Sequence, residues 1–244
     1  MSAEVRNRLL RLLPRDELEH VLSLTEEVAL AKRQVLHRYG VRMQHVYFVE
    51  TGLVSVGAKV SPQKFVEVWL IGSEGLVGIP LALTTNAQPM HRRTVLVAGA
   101  AYRLRVDRFQ QALAKLPTFR TVVYAYIASA LVQTAQSGAC NTSHQLKQRL
   151  ARWLLLARDA LESDDIPLTH QVLAQLLGVR RAGVTDCLLQ LRRAGLIELM
   201  RGCVVVRDPV RLAQISCHCW RLIEREYERQ LLSLSAPNSE ALGE

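Results

Sequence analysis

The chain has 244 residues, 49% hydrophobic and 22% charged, enough to bury a core and to form two domains. This composition excludes a disordered or collagen-like protein. Lys plus Arg number 31 against 22 Asp plus Glu, a net charge of +9 that favours polyanionic partners.

No stretch approaches about eighteen uninterrupted apolar residues, and the first residues, MSAEVRNRLLRLLPRDELE, carry charges through their apolar run with no small-residue cleavage site. The expectation is a cytoplasmic protein with no membrane association. The five cysteines form no paired scaffold for a chain of this size and read as reduced thiols.

In chain order, Val5, Leu9, Leu10, Leu12 and Leu13 predict a short amphipathic helix ending near Pro14, and residues 16–24 predict a second. From Val35 to about Val106 the runs VLHRYG, HVYFVETG, LVSVGAKV, KFVEVWLIG, RRTVLVAG and AYRLRV are short, apolar or alternating, and broken by Gly, Pro and Asn. Six to eight strands at this spacing predict a small antiparallel β-sandwich or roll. Asp107 opens a helical stretch, Pro117 starts a new helix, and residues 119–137 lack any breaker.

That long helix is too apolar for a helix with one face in water. Phe119, Val123, Tyr126 and Ala130 lie on its seam, and the expectation is that it packs on the β-domain and on a second copy of itself. SGACNTS at 137–143 then supplies Gly138 and the capping candidates Asn141, Thr142 and Ser143, so a hinge and a fresh helix start are expected there. The chain is accordingly divided into 1–137 and 138–244.

After a helix over 145–161 and the polar break ESDD comes LTHQVLAQLLGVRRAGVTDCLLQLRRAGLIELMRGCVVVRD. Thr169 can cap a helix with Val172, Leu173, Leu176 and Leu177 on one face, Gly178 ends it, and Val184, Cys187, Leu188 and Leu191 restart the period. Two helices joined by a sharp turn need a small residue at their contact, a Gly at the turn and apolar plugs at fixed offsets. With His170 in the first place of a helix-turn-helix, Ala174, Gly178, Val179 and Val184 occupy those places. Arg180, Arg181, Thr185 and Asp186 then point outward at the N-terminal end of the second helix, where side chains reach base edges and phosphates. Residues 196–199 and 203–206 are two strands joined by a Gly turn, a wing with Arg201 at its tip. From His170 to Arg207 six arginines face only Asp186 and Glu198, a local cationic surface.

A β-roll with glycines at its turns, a long apolar helix, a hinge and a winged helix-turn-helix together resemble the CRP/FNR family of bacterial transcription regulators, over about residues 10–210. HQVLAQLLGVRRAGVTDCLLQLRRAGLIEL is the most specific part, supported by VYFVETGLVSV and GSEGLVGIP. The resemblance implies an α+β fold: an antiparallel β-roll with flanking helices, a long dimerisation helix and a C-terminal winged helix-turn-helix. It also implies a homodimer on a near-palindromic double-stranded DNA site, with RNA polymerase as a further partner. By position, Arg181 becomes the main base reader, Thr185 and Asp186 its neighbours, and Thr169, His170, Gln171 and Arg180 phosphate contacts.

The pattern departs from the family in three places. Arg180-Arg181-Ala182 stands where Ser-Arg-Glu is common, which predicts a different preferred DNA sequence. In the effector pocket Gly78 is followed by Ile79 and Pro80 rather than a glutamate, while Arg93-Thr94 remains; the expectation is DNA binding independent of cyclic AMP, with an unidentified effector and no cofactor. A cyclic-nucleotide-responsive activator, with Glu74 as substitute carboxylate, is the alternative; a ligand-binding module whose winged helix makes protein contacts is another. No cysteine precedes Cys140, so an N-terminal iron–sulfur site is absent.

Cys217-His218-Cys219 lacks an evident second pair of ligands, because Cys187 and Cys203 are expected in the winged-helix core, so no metal site is expected. His37, His45 and His91 fall in the β-domain without distinction. No nucleophile–base pair, phosphate loop or H-E-x-x-H occurs at recognisable spacing, which argues against an enzyme.

Overall fold

The computed structural model describes residues 5–62, 64–231 and 234. A 3-10 turn at Leu10–Leu12 and helix α1 (Arg15–Ser23) lead into strands β1 (Glu26–Leu30), β2 (Val35–His37), β3 (His45–Ser61), β4 (Lys64–Ile71) and β5 (Leu76–Val77). Helix α2 (Pro80–Leu83), strand β6 (His91–Arg105) and helices α3 (Val106–Lys115) and α4 (Pro117–Ser143) follow. The C-terminal part holds α5 (Leu146–Leu161), β7 (Asp165–Ile166), α6 (His170–Leu177), α7 (Arg181–Arg193), β8 (Ile197–Met200), β9 (Cys203–Val206), α8 (Pro209–Ile215) and α9 (Cys219–Leu231).

The first sheet runs β1-β6-β3-β4, with β2 on β6 and β5 on β3, all pairs antiparallel. Four of the runs expected as separate strands are two long bent ones, because Gly52 and Gly99 bend strands instead of ending them. The β3–β6 register shifts around Thr51 and Leu53, and Gly52 sits there at φ +91°. A Cβ on Gly99 would lie 2.0 Å from the Thr51 carbonyl oxygen, so only glycine lets β6 cross β3 at that point. Strand β1, outside the expected set, pairs along β6, and the expected N-terminal helix is a single 3-10 turn.

Helix α4 corrects two expectations. It continues through Gly138 to Ser143, and the break falls at His144, with Gln145 capping α5 in reciprocal hydrogen bonding with Gln148. The expected hinge and boundary near 137 therefore lie inside a continuous helix. Phe119, Val123, Tyr126 and Ala130, expected at a dimer seam, are buried in the chain's own core, where Phe119 packs on Phe48 and Tyr126 on Trp69. The solvent face of α4 carries Thr121, Tyr124, Leu131, Ala135, Gly138 and Thr142.

Two cores form. One fills the roll and the inner face of α4; the other unites α5, α6, α7 and the wing with Leu53 and Leu70 of the first sheet. The helix-turn-helix therefore rests on the roll: Val66 of β4 lies 3.2 Å from where a Cβ of Gly178 would stand. Nearby, the Trp153 indole N–H donates to both carboxylate oxygens of Glu67 at 2.9 and 3.0 Å.

Candidate nucleic-acid interface

The helix-turn-helix is built as its spacing requires. The Thr169 hydroxyl accepts from the Val172 amide at 3.3 Å and caps α6, while Gly178 ends it in the left-handed region at φ +69°. Ala174 is buried at the contact between α6 and α7, and Val184, Leu188 and Leu191 plug α7 into the core. Cys187 is only half-buried. The wing is a tight hairpin in which Met200 pairs with Cys203, Gly202 turns at φ +73° and Arg201 is exposed at the tip. The third strand of this sheet, β7, forms from the end of the polar ESDD break and pairs with β9.

The exposed side chains converge. Thr169, His170, Gln171 and Arg181 line one groove of about 400 Å³ with Met200, Gly202 and Cys203 of the wing. His170 Nδ1 lies 3.1 Å from the Thr185 hydroxyl, tying the start of α6 to the recognition helix. Burial, with the Arg181 charge adding to it, lowers the His170 pKa and favours neutral imidazole there. Arg181 and Asp186 are exposed on α7, and Arg180, just ahead of it, is exposed too and lines the rim of a cavity with Lys32, Phe65 and Thr94. Arg207 is paired with Glu198 across the wing. Among the described residues Arg181, Arg192, Arg193 and Arg201 have no carboxylate at ion-pair distance, so their charge is free for a polyanion.

A Crp-like helix-turn-helix domain model matches residues 148–215. The chain is a DNA-binding transcription regulator with a Crp-like helix-turn-helix. The Global nitrogen regulator of Synechocystis sp. is 26% identical to this regulator over 182 residues, covering 70% of this chain and 80% of that protein. That of Synechococcus elongatus is 25% identical over 179 residues, covering 70% and 81%. Among solved structures, FixK2 from Bradyrhizobium japonicum superposes with a TM-score of 0.68 at 16% identity, covering 79% of this chain and 98% of that one. The c-di-GMP responsive regulator CLP of Xanthomonas campestris gives 0.65 at 18%, covering 79% and 99%. These two likenesses show the fold. The curated relatives that this regulator matches are thus global nitrogen regulators.

In the roll of this regulator, the expected effector residues divide between two faces. Gly78, at φ +123°, packs against Val46 and the His45 carbonyl, and Ile79 precedes Pro80, the first residue of α2. His37 Nε2 lies 2.8 Å from that same His45 carbonyl, and β2 places His37 opposite Arg93. Arg93 is buried, donates to the His91 carbonyl at 2.9 Å and has no carboxylate at ion-pair distance among the described residues; burial lowers its pKa to about 10. Burial, then the Arg93 charge, lowers His37 to about 4, and its Nδ1 has no partner. Thr94, next along β6, instead lines the cavity facing the helix-turn-helix. Glu74, the substitute carboxylate, is tied to the Gly72 amide.

The Cys217-His218-Cys219 stretch lies differently from expectation. Cys217 and Cys219 are buried and His218 is exposed, and the two thiols meet Cys140 and His144 from the end of α4. Sequence reasoning missed this group because it sought the missing pair in Cys187 and Cys203, both half-buried elsewhere. The signal available was the Cys140-x-x-x-His144 spacing, which places both side chains on one face of a helix.

Proposed function

We propose that this regulator acts as a homodimer on a near-palindromic duplex, each copy laying α7 in a major groove with Arg181 reading a guanine and Arg201 touching the backbone. The observation that carries this reading is the groove in which exposed Arg181 stands beside the wing and the capped start of α6. Thr169, Gln171 and His170 on its rim suit phosphate contacts, and Thr185 and Asp186 flank Arg181 on the same helix. Arg180, exposed just ahead of α7, suits a phosphate contact beside them.

The solvent face of α4 supports the dimer. Thr121, Tyr124, Leu131, Ala135, Gly138 and Thr142 recur at heptad spacing, with small residues that let a second helix approach. The sensor and dimerisation unit then extends through Ser143, with the joint at His144 and Gln145. RNA polymerase is the further partner at a promoter. In the roll, buried Arg93 without a carboxylate suits an anionic small effector. Ile79 offers a ribose hydroxyl no acceptor and Pro80 offers no amide donor, so cyclic AMP is not that effector. Binding of the full chain to a selected duplex, measured across a salt series, tests the reading. Arg201→Ala weakens all sequences alike and lowers the salt slope by about one; Arg181→Ala changes which sequences bind. Equal affinity of the unaltered chain for every duplex overturns it.

A further inference from the structure

Cys140 lies in the last turn of α4 and His144 is the residue just past its end, while Cys219 opens α9 and Cys217 precedes it by two residues. The four ligand atoms, three Sγ and one imidazole nitrogen, all lie within 4.8 Å of one another. Cys140 Sγ is 3.4 Å from Cys217 Sγ, and Cys219 Sγ is 3.6 Å from His144 Nδ1. A tetrahedral ion with metal–sulfur bonds of about 2.3 Å and a metal–nitrogen bond of about 2.05 Å sets its sulfurs about 3.8 Å apart and sulfur and nitrogen about 3.6 Å apart. The sulfur–nitrogen separation fits one ion, and the sulfur pair at 3.4 Å and the remaining pairs, all within 4.8 Å, need shifts of about 1 Å or less to close on it. A cubane iron–sulfur cluster would hold its cysteine sulfurs farther apart than this group allows.

The surroundings point the same way. Arg152 of α5 is 4% exposed; one guanidinium nitrogen donates to the Ser137 hydroxyl at 3.2 Å, and its Nε has no partner. No carboxylate lies at ion-pair distance from it among the described residues. A buried guanidinium needs a counter-charge. Three thiolates, a neutral imidazole and a divalent ion carry a net charge of −1, which supplies it beside Cys140. Gln136 Nε2 donates to Cys219 Sγ at 3.0 Å, an outer hydrogen bond of the kind that orients a metal-bound thiolate. The three cysteines form a buried cluster separate from both main cores, so packing in those cores does not account for them.

We propose that Cys140, His144, Cys217 and Cys219 bind one zinc(II) ion, which staples the end of α4, at the joint before Gln145, to the N-terminus of α9. Soft thiolate donors exclude calcium and magnesium, and the closed four-ligand set leaves no open position for catalysis. The ion links residues 77 apart in sequence. It holds the joint between the helix that carries the proposed dimer face and the segment that follows the wing.

The test uses the full chain purified without chelator. Expected are about one zinc per chain by mass spectrometry, and a cobalt(II)-exchanged form with the ligand-field bands of tetrahedral thiolate coordination. A thiol reagent should find only Cys187 and Cys203 until a chelator opens all five cysteines. Cys217→Ser and His144→Ala lose the zinc, while Cys187→Ser and Cys203→Ser keep it. His144→Cys retains it, which separates ligation from a general folding defect. Zinc below a tenth of an equivalent after supplementation overturns the proposal, as does iron with inorganic sulfide. A Cys140–Cys217 disulfide in reduced preparations, or unchanged cobalt bands in the Cys217→Ser chain, does so too.

Discussion

Glu67 is the acidic group through which the docking of the helix-turn-helix on the roll can be measured. Its carboxylate sits at the contact, accepting from the Trp153 indole. Burial raises its pKa from 4.5 to about 7, against the opposing effects of that hydrogen bond and of Arg152. The folded chain therefore holds a proton that the unfolded chain has released between these two values. The resulting contribution is fully present below about pH 4.5 and is lost as pH rises through about 7. The whole shift corresponds to about 3 kcal/mol, and solvent reaching the half-buried side chain reduces this to about 1–2 kcal/mol. Glu67→Gln keeps an oxygen for Trp153 and removes the charge. Relative to the unaltered chain, it should gain about 1–2 kcal/mol between acid conditions near pH 5 and pH 8. Denaturant melts of both chains at the two pH values measure this difference, and Glu74 and Asp159, whose pKa values burial also raises, cancel in the comparison. A Gln-minus-Glu difference that does not change with pH would refute the assignment of a strained charge to the contact.

Three further outcomes follow from the same geometry. Leu131→Glu on the solvent face of α4 should weaken self-association by at least about tenfold, since two buried leucines are lost at a two-fold contact; sedimentation measures it, and an unaltered monomer at micromolar concentration contradicts the dimer. Tyr126→Glu, by contrast, enters the chain's own core beside Trp69 and should lower the melting temperature before any effect on assembly is seen. Titration with cyclic AMP should leave operator affinity within about twofold, because an unpaired ribose hydroxyl costs roughly 1–3 kcal/mol; calorimetric binding coupled to tighter operator binding would restore the cyclic-nucleotide reading.

The helix-turn-helix was legible because its requirements are local. A cap at Thr169, a left-handed glycine at 178 and apolar plugs at Val184, Leu188 and Leu191 each act within a few residues. The roll was legible as a class and less so in its strands, because Gly52 and Gly99 obey the close approach of β3 and β6, a non-local contact that a single chain reading cannot separate from a turn. The faces of α4 were misassigned for a related reason: the helix is apolar on nearly every side, so periodicity cannot tell which stripe meets the roll. Gly138 and the run Asn141 to Ser143 resemble a helix end, yet packing carries α4 past them, tertiary contact overriding local preference. The four-residue thiol and imidazole group depends on α9 folding back against α4; the Cys140–His144 spacing hints at a ligand pair but cannot name the segment that completes it.

The most direct measurement of sequence-specific DNA binding is selection from a random duplex library with the unaltered chain and with Arg181→Ala in parallel. The account predicts a two-fold symmetric motif for the unaltered chain. Arg181→Ala should lose the preference at one base pair in each half-site, with specific binding weaker by about 1–3 kcal/mol. Enrichment of no motif, or of the same motif at the same strength by both chains, would contradict it.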